Sequence, residues 1–516
     1  MPRHAPTDAV LSIPPRATPM VDSPTIAVWH RDDLRLRDNA ALDAAAADGH
    51  PAPVFVVDPT FYRSGMAADA RLRFLHESLT ALDDRYASLG SGLVFRHGDP
   101  AAVLDALPVD RIYVNRSVTA RYGRERDAAL FGRDDVTTFA VDGLDRTDRG
   151  RDEYDWQAGA ESYFESEPIP APDALPPNPL ADGPTVDDVE RRYGVSPTKR
   201  AVPTGGRDAA WERLRAFADR LDRYPGGIAD PAAAEERTSH LSPYFQFGCL
   251  SVRSAKRYVD REGTDPRGIR LFAKRCYWNR HYSQKLVDWP GWTERAVNPV
   301  FRGLFRDSHD PDLVAAWKAG ETGFPLVDAS MRALRETGWL NFRMRAMCAS
   351  FFTYVLQCWW KPGADHFYRH LIDGDAAINY TQWQSQSNLT GVHPVRIYDP
   401  RKQVREHDPD GEFVRRYVPE LRDLPTEHLD RPERTPLAVQ ASSGVRIGED
   451  YPHPVVEFEA RREAARRRFA RLADRAREAL SDPEIRRRAS LSRRHGRKTA
   501  DDSETDAPGQ RRLDDF

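Results

Sequence analysis

Residues 373–400, DGDAAINYTQWQSQSNLTGVHPVRIYDP, gather the side chains best able to do chemistry: the carboxylates of Asp373 and Asp375, the amide of Asn379 and the indole of Trp383. The apolar residues of this run follow neither a helical nor a strand period, the pattern of a segment that lines a ligand. A second candidate is GWLNFRMRAMCASFF, where Arg343 and Arg345 interrupt an otherwise apolar helical run. A guanidinium buried there needs an anionic partner, and Asp373 or Asp375 would serve. A third, RTSHLSPYFQFGCLS, sets Thr238, Ser239 and Ser242 ahead of a helix with Pro243 in its first turn. Hydroxyls and backbone N–H groups at a helix start can cradle a pyrophosphate, or simply cap the helix.

Composition bounds what can hold these groups. A chain of 516 residues exceeds the usual limit for one hydrophobic core, so two domains are expected. With 40% hydrophobic and 30% charged residues and a net charge of -3, it is globular and carries no global bias toward nucleic acid, so a DNA surface must be a local patch. The four cysteines, Cys249, Cys276, Cys348 and Cys358, include no CxxC pair and read as reduced packing residues, with no metal site expected. No apolar run reaches membrane-spanning length and the first residues lack a signal-peptide core, which predicts a cytoplasmic protein with no membrane partner.

The elements that must position the candidate residues follow from periodicity. Residues 1–24 read as a flexible arm. From Thr25, the strand-like runs TIAVW, VFVVD, LVFRHG and RIYVNR alternate with helical stretches through about residue 148, which predicts a parallel α/β sheet. Ligands of such a sheet sit beyond the carboxyl ends of its strands, here residues 30–37, 58–60 and 115–119. No GxGxxG or GxxxxGK[ST] loop follows a strand, which argues against a nucleotide kinase or an NAD enzyme. Residues 149–205 are rich in Pro, Asp and Glu and read as an extended linker. Residues 206–480 read as helices throughout, and residues 481–516 as a disordered charged tail.

WHRDDLRLRDNAAL, the 238–243 segment, the arginine helix, INYTQWQ and TGVHPVRIYDPRKQVREHDPDGEFVRRYVPEL together resemble the cryptochrome/photolyase flavoproteins over residues 25–479. The resemblance implies an N-terminal Rossmann-like antenna-type domain followed by an all-helical domain that holds FAD. It implies a DNA photolyase that splits ultraviolet-induced pyrimidine dimers by electron transfer from light-excited reduced FAD. The alternative is a cryptochrome photoreceptor that signals to a partner, with the C-terminal tail as one route. Carried onto this sequence, the FAD-binding residues are Tyr224, Thr238, Ser239, Leu241, Ser242, Arg280, Arg345 paired with Asp373, Asp375, and Asn379 facing flavin N5. Trp383, Trp360 and Trp317 match the three tryptophans that relay an electron from the surface. NRSVT at 115–119 lacks the Glu of folate-binding relatives, which favours a deazaflavin antenna over a folate.

The lesion pocket departs from the family pattern. Asn279 and Ser385 stand where dimer-repairing enzymes stack tryptophans, Cys276 stands near an expected Glu, and Asn341 and Phe342 replace the paired histidines of (6-4) enzymes. Arg253, Lys256, Arg257, Arg261, Arg267, Arg270, Lys274, Arg275 and Arg280, with Arg401, Lys402 and Arg405, are expected to form a face that tracks DNA phosphates.

Overall fold

The computed structural model describes residues 23–147, 156–200 and 202–489. Most of the expected N-terminal arm, the start of the linker and the tail beyond residue 489 lie outside the described residues.

Five strands, β1 (Thr25–His30), β2 (His50–Val57), β3 (Val94–His97), β4 (Arg111–Asn115) and β5 (Val136–Phe139), form one parallel sheet in the order β3-β2-β1-β4-β5. β1 is buried from Ile26 to His30 because helices such as Ala40–Asp48 and Asp69–Ser88 cover the sheet, so apolar side chains are needed on both of its faces. β5 was not legible. Its four residues, VTTF, lie half-buried at the sheet edge and include two threonines, so no apolar run marks them.

Strand order reverses between β1 and β4, where a ligand crevice is expected. The chain fills that crevice with its own polar groups. Arg31 Nη1 donates to both carboxylate oxygens of Asp127 at 2.6 Å, Asn115 Nδ2 donates to Asp33 Oδ2 at 2.6 Å and Asn39 Oδ1 at 2.7 Å, and His30 pairs with the Tyr86 hydroxyl at 2.6 Å. Of the three regions expected to line a pocket, residues around 30–37 and 115–119 are thus bonded to one another.

The linker is less extended than expected. It contains the helices Trp156–Glu165 and Val186–Tyr193. Tyr163 and Phe164 anchor the first in the core, and Thr185 with Asp188 forms a capping box at the second. Further on, NFRMRAMCASFFTYVLQCWW does not form one helix. Phe342–Ser350 is α-helical, Phe351–Val355 widens into a π-turn, and Gln357, at φ 56°, precedes a new helix, Trp360–His370. The helix Pro483–Ala489 extends order into the stretch expected to be a disordered tail.

The sheet and the helices share packing. Phe74, on Asp69–Ser88, lies 5.1 Å from Tyr244 and 5.4 Å from Phe247, so the first part of the chain braces the 238–250 segment of the second. Gly248, at φ 67°, lets the two backbones meet, since a Cβ there would lie 2.2 Å from the Asp32 carbonyl. Beside it the buried Arg253 donates from Nε to Asp38 Oδ2 at 2.9 Å, and from Nη1 to Ser166 Oγ at 2.6 Å.

Burial pushes the Asp38 carboxyl up, but the hydrogen bonds from Arg253 and the charge of Arg35 outweigh it and hold the carboxyl below its ordinary value. A depressed carboxylate contributes stability above its unfolded pKa and loses it as pH falls through the folded one. Arg253→Ala, which removes the guanidinium bonded to the buried Asp38, is expected to cost about 3 kcal/mol at neutral pH. The deficit should begin to narrow below about pH 4, where the unfolded carboxyl takes up its proton, and close only as pH falls through the lower folded value. Urea unfolding of both proteins across pH measures this, and an equal deficit at all pH values would assign the cost to packing alone.

Candidate functional site

Residues 376–386, read as a segment without helical period, form the helix Ala376–Gln386. The period is missing because the helix is buried on nearly all sides: Ala376, Ala377, Asn379, Tyr380, Thr381, Trp383 and Gln384 are all inside. Asp375 caps it by accepting from the Ile378 N–H at 2.9 Å. Burial, reinforced by the nearby Asp373, raises the Asp375 carboxyl despite that hydrogen bond. Asn379 Nδ2 donates to the Ala364 carbonyl at 2.9 Å, which ties the amide to the neighbouring helix Trp360–His370.

At the head of this helix the expected ion pair is present. Arg345 Nη2 lies 3.0 Å from Asp373 Oδ2, and Arg345 Nε donates to the Leu340 carbonyl at 2.8 Å. Arg343 reaches toward Gln403 Oε1 at 3.4 Å, while Arg345 makes the ion pair with Asp373. The second oxygen of Asp373, Oδ1, is buried with no protein donor. A buried acceptor left unpaired is costly, and an N–H or O–H of a bound ligand would satisfy it. The residues therefore fit a ligand with hydroxyl or imide donors at this point.

The phosphate candidates are less simply arranged. Tyr224 is buried edge-on against Phe217 at 5.0 Å, and Leu241 is fully buried. Thr238 closes the helix Pro231–Arg237 and its hydroxyl donates to the Ala234 carbonyl at 2.7 Å, so its proton is already engaged. Ser239 Oγ accepts from the Leu241 N–H at 3.4 Å and keeps its own proton for a ligand. Ser242 opens a helix of only five residues, Ser242–Gln246, too short to gather much of a helix dipole. Charge comes from elsewhere. A cavity of about 710 Å³ beside this segment is lined by Arg213, Arg220, Arg223, Arg237 and His240, with Asp222, Glu235 and Glu236 among them. The buried Nε atoms of Arg213 and Arg220 have no acceptor. Burial, with those two guanidinium groups, lowers His240 to about 4, so the imidazole is neutral there. Sequence reasoning missed these arginines because they are spread over three elements.

Arg280 is not aimed at the carboxylates. Its guanidinium donates to the Asp142 carbonyl at 3.0 Å and to Asn279 Oδ1, although its charge still lowers Asp375 in part. Ser385 Oγ donates to the Thr381 carbonyl at 2.8 Å, and Asn341 caps the helix Phe342–Ser350 through the Met344 N–H at 3.2 Å.

The tryptophans also depart from expectation. Trp383 and Trp360 are buried, but Trp317 is completely so and meets Trp383 at 6.0 Å, nearly perpendicular. Trp317 is therefore an inner neighbour of Trp383 and not a surface terminus. Trp360 meets Tyr380 at 6.4 Å, and Tyr380 meets the half-buried Tyr368 at 5.5 Å. Sequence matching to tryptophan contexts overlooked this tyrosine pair, which the spacing of Tyr380 and Trp383 along one helix could have suggested.

Most of the expected phosphate-tracking face is neutralised. Arg253 pairs with Asp38, Lys256 with Asp260, Arg257 with Glu167, Arg261 with Glu262, Arg401 with Glu433, Lys402 with Glu406 and Arg405 with Asp430. Among the described residues, no helix is long and apolar enough to cross a membrane.

Comparison with known proteins gives these sites a context. A family model described as the FAD binding domain of DNA photolyase matches residues 272–471, and another described as DNA photolyase matches residues 26–142. A deoxyribodipyrimidine photo-lyase of Halobacterium salinarum is 33% identical over 490 residues, covering 86% of this chain and 98% of its own. A cryptochrome DASH of Natronomonas pharaonis is 31% identical over 480 residues, covering 85% and 99%. The crystal structure of a bacterial class III photolyase from Agrobacterium tumefaciens shares the fold with a TM-score of 0.75 at 27% identity, over 88% of this chain and 99% of that one.

Trp383 is held by close packing on a glycine. A Cβ at Gly363 would lie 2.5 Å from Trp383 Cη2 and 2.8 Å from Cζ3. Gly363→Ala is expected to destabilise the protein by about 1–3 kcal/mol through overpacking, against the gain that Ala brings in an open helix. Denaturant unfolding gives the sign, and a changed near-ultraviolet circular dichroism spectrum would report the displaced indole.

Proposed function

Because the chain belongs to the cryptochrome/photolyase family, we propose that it is a light-driven DNA photolyase that binds FAD and acts on DNA carrying ultraviolet-induced pyrimidine dimers. The observation that carries this reading is the buried helix Ala376–Gln386, which presents Asn379 and Trp383 with the Arg345–Asp373 pair at its head. When bound, FAD supplies the blue-light chemistry, donating an electron to the dimer and recovering it after the ring splits.

The chain's own residues bind, orient and supply electrons. Asp373 Oδ1 would accept a hydrogen bond from the cofactor, and Arg345 holds that carboxylate in place. Asn379, anchored by its Nδ2 to Ala364, presents a neutral amide edge where a carboxylate would add charge. Ser239 and the cavity arginines Arg213, Arg220 and Arg237 would hold the pyrophosphate, with Tyr224, Thr238, Leu241 and Ser242 shaping the turn. Trp383 would be the first electron donor to the bound cofactor. The 115–119 loop, which lacks a Glu, argues against a folate antenna and leaves a deazaflavin or no antenna.

A cryptochrome reading is favoured by one feature, the small polar side chains of Asn279 and Ser385, each hydrogen-bonded within its own helix, where a lesion would be stacked. An assay separates the two. Purified protein with reduced flavin, given oligonucleotides bearing a cyclobutane dimer or a (6-4) product, is expected to remove one lesion only in blue light. No removal of either lesion, with normal flavin content, would establish the photoreceptor.

Asp373→Ala is expected to weaken FAD retention by about 2 kcal/mol, roughly 30-fold in affinity, the scale of a hydrogen bond to a charged group. The flavin-to-protein absorbance ratio after gel filtration measures it. Trp383→Phe should retain FAD and sharply slow photoreduction of the oxidised cofactor; unchanged kinetics would remove Trp383 from the electron path.

A further inference from the structure

Trp317 cannot deliver an electron hole to the surface. It is completely buried, its ring neighbours are Trp383, Phe352, Phe367 and His366, and its indole Nε1 has no hydrogen-bond acceptor. An oxidised indole held there has no hydrogen-bonded acceptor for its proton, so nothing traps the hole on this ring. The other branch is differently equipped. Trp360 meets Tyr380 at 6.4 Å, and the Tyr380 hydroxyl donates to Asp365 Oδ1 at 2.7 Å. The Asp365 side chain is 47% exposed, so a proton received there is in reach of water.

We propose that Tyr380, with Asp365 as its proton acceptor, is the terminal electron donor of the aromatic relay in this protein. The proposal rests on the flavin-binding reading above and extends it to residues outside the tryptophan series. Trp383, packed on Gly363 in the helix that Trp360 opens, would give the first electron to a light-excited oxidised flavin, and the hole would pass along that contact to Trp360. One electron then moves from the Tyr380 phenol to oxidised Trp360, which becomes neutral indole. At the same time the phenolic O–H bond breaks and its proton goes to Asp365 Oδ1, leaving a neutral tyrosyl radical and a protonated carboxyl group. Charge and protons balance within the pair, and no further reagent is required.

Coupling of the two transfers follows from the surroundings of the ring. Burial and the Asp365 charge both raise the Tyr380 phenol, so it keeps its proton before oxidation and phenolate is not the donor. A phenol that loses an electron becomes a strong acid, and the carboxylate already bonded to it removes the proton in place. Lys361, 5.1 Å from the Tyr380 ring centre, would oppose oxidation, but it is ion-paired to the same Asp365. Tyr368 lacks both advantages. The Arg71 guanidinium lies 4.8 Å over its ring, held by the main-chain carbonyls of Tyr368 and Gly374, and among the described residues no carboxylate is hydrogen-bonded to the Tyr368 hydroxyl. The hole therefore stops on Tyr380.

The test uses the full-length protein with its oxidised flavin, flash-illuminated and followed by transient absorption, with freeze-quenched samples examined by electron paramagnetic resonance. A neutral tyrosyl signal is expected in the wild type and its absence in Tyr380→Phe, where the hole should remain on tryptophan and recombine sooner. Asp365→Asn keeps the hydrogen-bond geometry but removes the base. It is expected to slow tyrosyl formation about 100-fold, the low end of what a positioned proton acceptor contributes. The solvent deuterium effect on that step, present in the wild type, should change with it. Tyr368→Phe should leave the signal intact. A tyrosyl signal that survives Tyr380→Phe, or tryptophan radicals alone in a wild type that photoreduces normally, would overturn the proposal and leave the flavin reading standing. A wild type that binds no flavin would overturn both.

Discussion

A helix with almost no solvent face must satisfy its polar side chains inside the protein, and the helix Ala376–Gln386 is built under that constraint. Thr381 turns its hydroxyl back to the Ala377 carbonyl at 2.6 Å. Gln384 uses its whole amide: Nε2 donates to the carbonyls of Trp292 and Arg295 at 2.8 and 2.9 Å, and Oε1 accepts from the Val297 N–H at 2.9 Å. With Asn379 tied to Ala364, it and Gln384 fix the helix in rotation and height against two neighbouring segments, while Thr381 and Asp375 are satisfied within the helix and its cap. Few rotamers survive such bonding, so Trp383 and Asn379 are held in one geometry without a ligand to order them.

The same constraint explains what was legible in the sequence. Parallel strands buried on both faces are continuous apolar runs, so β1 to β4 could be read, whereas the half-polar edge strand β5 could not. The helix Ala376–Gln386 was hidden because all-round burial with internally bonded polar residues erases the 3.6-residue period. The Arg345–Asp373 pair was legible from charge alone, since a guanidinium among apolar residues demands a partner. The burial of Trp317 was not, because an indole at a surface and one in a core are written with the same letter and often the same neighbours. Local context identified the tryptophan; only three-dimensional packing shows that its ring faces Trp383.

Charge gave the weakest guide. A count of basic residues suggested a phosphate-binding face, yet Arg253, Lys256, Arg257, Arg401 and Arg405 each meet a carboxylate from this chain. Arg253 and Arg401 are buried as well, and their pairs bind distant parts of the chain together. Net charge and composition cannot distinguish a cation that holds the fold from one that meets a ligand. The arginines lining the 710 Å³ cavity differ because two of them keep buried donors without acceptors.

Unpaired buried groups are informative only with their surroundings. The crevice between β1 and β4 has a position where α/β sheets bind ligands, but Arg31, Asp33, Asn115 and Asp127 satisfy one another and leave little for a ligand to complete. Trp292 Nε1 and Trp317 Nε1 lack partners too, but both belong to the apolar core, and a single neutral N–H carries a modest penalty. Asp373 Oδ1 belongs to a charged group, sits across from Arg345, and heads the helix that carries Asn379 and Trp383. A charged acceptor costs far more than an indole N–H when left bare. Of these unpaired atoms, it is the one whose energetic cost and placement both call for a bound partner.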